Sequence, residues 1–175
     1  MPARVGHLRQ PGAARSPRRP RTATPPRVGS AVGNASLAQL ASSSRGVLAD
    51  GSVHPVVAGA IRSAAGGGKA LGGETADWAL SAFGGAVSSA RLHVDGLAHK
   101  LSSAVAARAF TVGRDVFFAA GEHRPHTLAG RRLLAHELAH VIQQHGAPAT
   151  HTLRATQPAD ASERAAETAA EAALG

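Results

Sequence analysis

Cysteine is absent from the 175 residues, which excludes disulfides and thiolate-bound metal. Tyrosine is absent too, and the aromatic complement is four Phe and one Trp. The core must therefore be built mostly from small and aliphatic side chains, and it will be modest. No apolar run reaches the roughly 18 residues of a membrane-spanning helix. The N-terminus is basic, but it lacks the apolar stretch of a secretory signal. The length suits one domain plus tails.

Acid is missing from residues 1–49, which hold eight Arg. Residues 50–175 balance eleven basic against eleven acidic side chains, so the formal charge of +8 belongs to the N-terminal part. Six of the ten Pro fall within residues 1–26. Such a segment buries too little apolar surface to offset its ordering entropy, so residues 1–35 are expected to be a disordered tail. Its Arg could give weak, nonspecific polyanion binding, although no aromatic is present to stack on bases. An Arg-rich, acid-free start also looks like an organelle transit peptide. The plainer reading is a solvated linker, since Arg outnumbers Lys seventeen to two along the whole chain.

Residues 36–53 are expected to be a linker or frayed helix, with the folded domain over 54–175. The spacing of Val56, Val57, Ala60, Ile61 and Ala64 predicts a helix from Pro55, ended by Gly66-Gly67-Gly68. Residues 76–86 form a short apolar segment in which Trp78 reads as a core anchor. Arg91 to Asp95 alternates as a strand does, and His93 within it reads as a structural histidine. Leu97 to Ala107 predicts a helix. Residues 109–112 and 116–118 predict a β-hairpin around a three-residue loop, Gly113-Arg114-Asp115. A long helix is expected over about 127–144, with Leu134, Leu138, Val141 and Ile142 facing the core. After a loop of about fifteen residues, Asp160 is expected to cap a last helix, with Glu163 completing a capping box. The fold class is therefore α+β, mainly helical, with a small β-hairpin or sheet.

The long helix carries His136-Glu137-Leu138-Ala139-His140, an H-E-x-x-H sequence. A spacing of four puts the two imidazoles on one face, one turn apart, where both can bind one ion. Glu137 lies about 100° further round, close enough to act as the general base on water. Chance stacking of two polar side chains gives the same five letters, so the motif needs a third ligand. A catalytic zinc takes three protein ligands and leaves one position open. Glu163-Arg164-Ala165-Ala166-Glu167 offers one. Glu163 could bind the metal, while Glu167, one turn on, could accept the N–H of a ligating imidazole. The plainer reading makes Glu163 a capping residue, and Glu167 and Glu171 a solvated face.

Three stretches resemble a known family. They are residues 107–122 (A-R-A-F-T-V-G-R-D-V-F-F-A-A-G-E), residues 130–144 (G-R-R-L-L-A-H-E-L-A-H-V-I-Q-Q), and Asp160 through Glu163-Arg164 to Ala166-Glu167. Together with Arg91-Leu-His-Val-Asp95 they look like the core domain of extracellular contractile injection system (eCIS) proteins, over about residues 54–175. The resemblance implies a zincin-like, gluzincin-type metallopeptidase domain associated with phage-tail-like particles. It implies Zn2+ held by His136, His140 and Glu163, with Glu137 as catalytic base and Glu167 behind a ligating imidazole. The family pattern has Asp where this chain has Glu167, which displaces the charge by one methylene. The implied setting is the bacterial cytoplasm, with export by an injection system allowed for.

Two function classes follow. One is a zinc metallopeptidase acting on a protein or peptide substrate. The other is a non-catalytic zincin-fold adaptor or cargo module that binds injection-particle proteins. An intact Glu137 favours the first, since an adaptor needs no base. The missing Tyr favours the second, because related zincins use Tyr or His to stabilise an oxyanion. Here that role would fall to backbone N–H, Arg, or one of His123, His126, His145 and His151.

Overall fold

The computed structural model describes residues 31–145 and 161–175. The expected tail lies outside these residues up to position 30, as do His151 and Asp160 in the loop before the last helix. The described chain is mainly helical with a four-stranded sheet. No helix among the described residues is long and apolar enough to cross a membrane.

Helix α1 (Ala31–Ser43) begins earlier than the sequence suggested. It buries Leu37, which gives an otherwise Ser/Ala-rich segment an apolar anchor. Helix α2 (Pro55–Ala64) starts with Pro at its first turn, where a missing N–H costs nothing. The His54 Nδ1 accepts the Val56 N–H as its cap. Strand β1 (Lys69–Ala70) was not foreseen; two residues carry no readable period. Helix α3 (Gly73–Phe83) then runs into a 3-10 helix (Gly84–Ser89).

Strand β2 (Arg91–His93) is shorter than expected, because Asp95 turns to cap α4 (Gly96–Ala104) through the Ala98 N–H. Strands β3 (Ala109–Val112) and β4 (Asp115–Phe118) form the expected hairpin, with Val112 paired to Asp115. The loop is thus two residues, not three. Gly113 has φ +61, which suits the first central position of a type II′ turn. Asp115 belongs to the strand and is buried, because its carboxylate has an interior partner in His93. Its Oδ1 accepts from His93 Nε2 at 2.7 Å and from the Gly66 N–H at 2.8 Å.

The sheet order is β1-β2-β4-β3, with β2 and β4 parallel and the other pairs antiparallel. All four residues of β4 are buried, so this strand is covered on both faces. Val116 and Phe118 point to one face and Phe117 to the other, as the two-residue period requires. On the first face they meet Leu134, Leu138 and Val141 of α5 (Leu128–Gln144). On the second, Phe117 packs with Leu101, Val57, Ile61 and Leu37 from the three N-terminal-side helices α4, α2 and α1. Phe117 also stacks between Phe110 and His93, at centroid distances of 4.9 and 4.2 Å. Each such large side chain contributes on the order of 1.5–3 kcal/mol when fully buried.

Helix α6 (Ala161–Ala172) lies along α5. Its fully buried residues are Ala166 and Ala170, one turn apart. Small side chains there let the two helices approach closely. Trp78 helps hold this arrangement. Its indole N–H donates to the Ala173 carbonyl at 3.3 Å, and the Arg131 guanidinium sits 5.2 Å over its ring.

Candidate metal centre

Helix α5 starts at Thr127, whose hydroxyl accepts the Gly130 N–H. Gly130 is required there: a Cβ would fall within 2.1 Å of the Arg124 carbonyl oxygen. The loop before the helix therefore lies directly on its first turn. From this start, α5 presents three faces. Leu134, Leu138 and Val141 enter the core. Glu137 turns toward β3. Arg132, His136 and Gln143 turn toward α6, with His140 beside them.

The contacts between α5 and α6 run in opposite chain directions. Arg132 meets Glu167 and Glu171 at 3.5 and 3.0 Å. One turn on, His136 meets Glu163 and Glu167. Then His140 meets Glu163, and Gln143 reaches the Ser162 carbonyl. The helices are thus antiparallel, and the stripe Glu163, Ala166, Ala170 at helical spacing seats the carboxylate opposite the imidazoles.

Three donor groups converge at this point. His136 Nε2 is 3.2 Å from His140 Nε2 and 3.1 Å from Glu163 Oε2, and His140 Nε2 is 3.3 Å from Glu163 Oε1. A tetrahedral ion with bonds of about 2.0–2.1 Å separates its ligand atoms by about 3.4 Å. The observed spacings are within a few tenths of that value. Two imidazole nitrogens and one carboxylate form a donor set that suits zinc. His136, His140 and Glu163 can therefore hold a metal ion, and their ligand atoms all lie within 4.8 Å of one another. His140 is nearly buried, while His136 and Glu163 keep partial exposure that leaves the cluster open on one side.

Glu137 does not lie on the helix surface but turns inward. Its carboxyl is buried at 4% exposure. Oε2 accepts the Thr111 hydroxyl at 2.7 Å, and the same hydroxyl lies 3.2 Å from the Glu137 carbonyl oxygen. Burial pushes its pKa up to about 7, opposed by the Thr111 hydrogen bond and by His140, and reinforced by Glu163. His140 and Glu163 are thus the charged groups that act on this carboxyl.

Glu167 is where the helix period put it, with Oε2 3.5 Å from His136 Nδ1. That is an ion-pair separation without hydrogen-bond geometry, and the buried Nδ1 has no hydrogen-bond partner. Glu167 is half exposed and shared with Arg132. Glu171 pairs with Arg132 on the surface and takes no part in the cluster.

Of the histidines considered for an oxyanion, the three among the described residues lie elsewhere or are exposed. His123 packs edge-on against Phe118 and lines a cavity of about 140 Å³ with Lys69, Leu92 and Val94. Burial lowers its pKa, and His126 lowers it further. His126 is exposed, and His145 is the exposed C-cap of α5. Sequence reasoning missed Thr111, Gln143 and Gln144 as partners of this site. Gln144 Oε1 accepts the Gly113 N–H at 2.7 Å, which ties the end of α5 to the hairpin. No local signal identifies them, since each contact depends on how α5 sits against β3 or α6.

Residues 70–148 match the family model of the eCIS core domain. This associates that part of the chain with extracellular contractile injection systems. The match contains His136, Glu137 and His140 and stops before Glu163, so it does not extend to the third donor. No curated protein and no solved structure matches the chain.

Proposed function

We propose that this chain is a bacterial protein of an extracellular contractile injection system whose zincin-like domain is a zinc-dependent peptidase. The observation that carries this reading is the convergence of Glu163 with His136 and His140, which lie on the helix that also holds the buried Glu137. When bound, zinc supplies Lewis acidity that polarises a peptide carbonyl and makes water easier to deprotonate. His136, His140 and Glu163 would hold the ion. Glu137 takes the proton of the attacking water and returns it to the departing amine, a task suited to a group with a pKa near neutrality. Thr111 keeps its carboxyl oriented. Edge strand β3 pairs only with β4 among the described residues, so an extended peptide has backbone groups to meet beside the base.

A second reading is a non-catalytic adaptor or cargo module that docks on injection-particle proteins. It is favoured by a specific observation: the chain has no Tyr, and His123, His126 and His145 make none of the contacts that join His136, His140 and Glu163. Glu137→Gln separates the two. The peptidase reading expects this variant to bind zinc as the parent does and to lose at least about 100-fold in cleavage of a partner or of the chain itself. Undiminished cleavage by Glu137→Gln would overturn the peptidase reading. Zinc content near zero in the parent, by elemental analysis, would overturn the peptidase reading and leave the adaptor reading standing.

A further inference from the structure

We infer that Gln143 is a positioning residue: it fixes the proton of His140 on Nδ1 and so keeps Nε2 free as a metal donor. The inference rests on the reading of His136, His140 and Glu163 as a metal site. It follows from the direction of one hydrogen-bond chain. Gln143 Nε2 lies 3.2 Å from the Ser162 carbonyl oxygen. A carbonyl only accepts, so the amide nitrogen must be the end that faces it. The other end of the amide, Oε1, then faces His140 Nδ1 at 3.0 Å. An amide oxygen also only accepts, so Nδ1 must carry the hydrogen. Neutral imidazole has one N–H, and Nε2 is left with its lone pair. That nitrogen lies 3.2 Å from His136 Nε2 and 3.3 Å from Glu163 Oε1.

A backbone carbonyl at the start of α6 thus sets the tautomer of a histidine on α5. Ser162 adjoins Glu163, so the same amide also ties His140 to the helix that carries the third donor. His136 has no equivalent. Its buried Nδ1 lacks a hydrogen-bond partner, with Glu167 Oε2 at 3.5 Å. The two imidazoles are therefore unequal: His140 is preset for metal, and His136 is not. Gln143 itself is exposed, so water competes for both of its bonds. Its loss should cost metal affinity near the low end of the roughly 10–100-fold range for such outer partners.

The test uses the full chain and two substitutions. Gln143→Leu removes both bonds. Gln143→Glu keeps an acceptor for Nδ1–H and loses the donor to Ser162. Side-chain 15N–1H correlation spectra of metal-free protein, at a pH where the imidazoles are neutral, report the tautomer directly. The expected result is Nδ1–H for His140 in the parent and in Gln143→Glu, and a mixture in Gln143→Leu. Zinc affinity by chelator competition should fall about tenfold in Gln143→Leu and stay within about threefold in Gln143→Glu. A role confined to tying α6 down predicts that both variants lose affinity equally, and that outcome overturns the proposal. So does a parent His140 protonated on Nε2, or a Gln143→Leu tautomer unchanged from the parent. If the parent binds no zinc, the metal reading fails by itself, while the tautomer spectra still decide the role of Gln143.

Discussion

The hydroxyl of Thr111 donates a 2.7 Å hydrogen bond to Oε2 of Glu137, joining edge strand β3 to helix α5. A buried carboxyl is costly without a partner, and this bond is the favourable interaction Glu137 has with the sheet. Thr111→Val keeps the shape and removes the donor. It should destabilise the chain by about 1–3 kcal/mol, read as a shift of the urea midpoint at constant slope. The bond also lowers the Glu137 pKa, so its loss should move the rising limb of any cleavage profile to higher pH. An unmoved limb would remove Thr111 from the role assigned to it.

The raised pKa of Glu137 makes a second prediction, for the chain stripped of metal by a chelator. The folded value is about 7, against 4.5 for the free side chain. Between these values the folded state binds more protons than the unfolded state, so stability falls as pH rises. The contribution is fully present below about pH 4.5 and lost as pH passes through about 7. Glu137→Gln cannot ionise there. The melting temperature of the parent should therefore fall relative to Glu137→Gln between pH 5 and 8; parallel curves would show that the carboxyl is not held up by burial.

Ala166 is fully buried where α6 meets α5, between Glu163 and Ala170 on the helix. Ala166→Leu should push the helices apart and cost about 1–3 kcal/mol through overpacking. Because Glu163 rides on α6, zinc binding should weaken along with stability. Ala165, exposed on the same helix, serves as the control, and Ala165→Leu should change stability by less than about 0.5 kcal/mol. Intact zinc affinity in Ala166→Leu would mean that α6 does not deliver the third ligand.

Asp115 makes two polar contacts outside the metal cluster. It is buried, and one oxygen serves both His93 and the Gly66 N–H. Asp115→Ala leaves the buried His93 ring N–H unpaired and takes the acceptor from the Gly66 N–H, and it should cost about 1–3 kcal/mol in denaturant unfolding. Arg132→Ala breaks contacts to Glu167 and Glu171 on the surface and should cost less than about 1 kcal/mol. Similar costs for the two variants would contradict the burial argument.

Much of this site was legible before the fold was seen. Periodicity located α2, α4, α5 and α6 to within a few residues, and the four-residue spacing of His136 and His140 required one shared face. Glu163 was reachable because helical repeats place it and Glu167 together. Other features were not legible. β1 is two residues long, and the parallel pairing of Arg91–His93 with Asp115–Phe117 joins segments more than twenty positions apart. Asp115 looked like a loop residue because Gly-Arg-Asp is turn-like in composition. It became a strand residue because its carboxylate finds the buried His93 and the Gly66 N–H as partners.

Local chemistry in the sequence determined the helix that carries His136, Glu137 and His140, the lack of thiolate ligands, and the two outer carboxylates on one helix face. These follow from residue type and a fixed repeat along the chain. Tertiary structure alone decided that Ala166 and Ala170 seat Glu163 against both imidazoles. It also decided that Thr111 holds Glu137 and that Ser162 orients Gln143 toward His140. Those contacts join elements distant in sequence, and their geometry is set by how side chains of particular volumes pack, which no local pattern encodes.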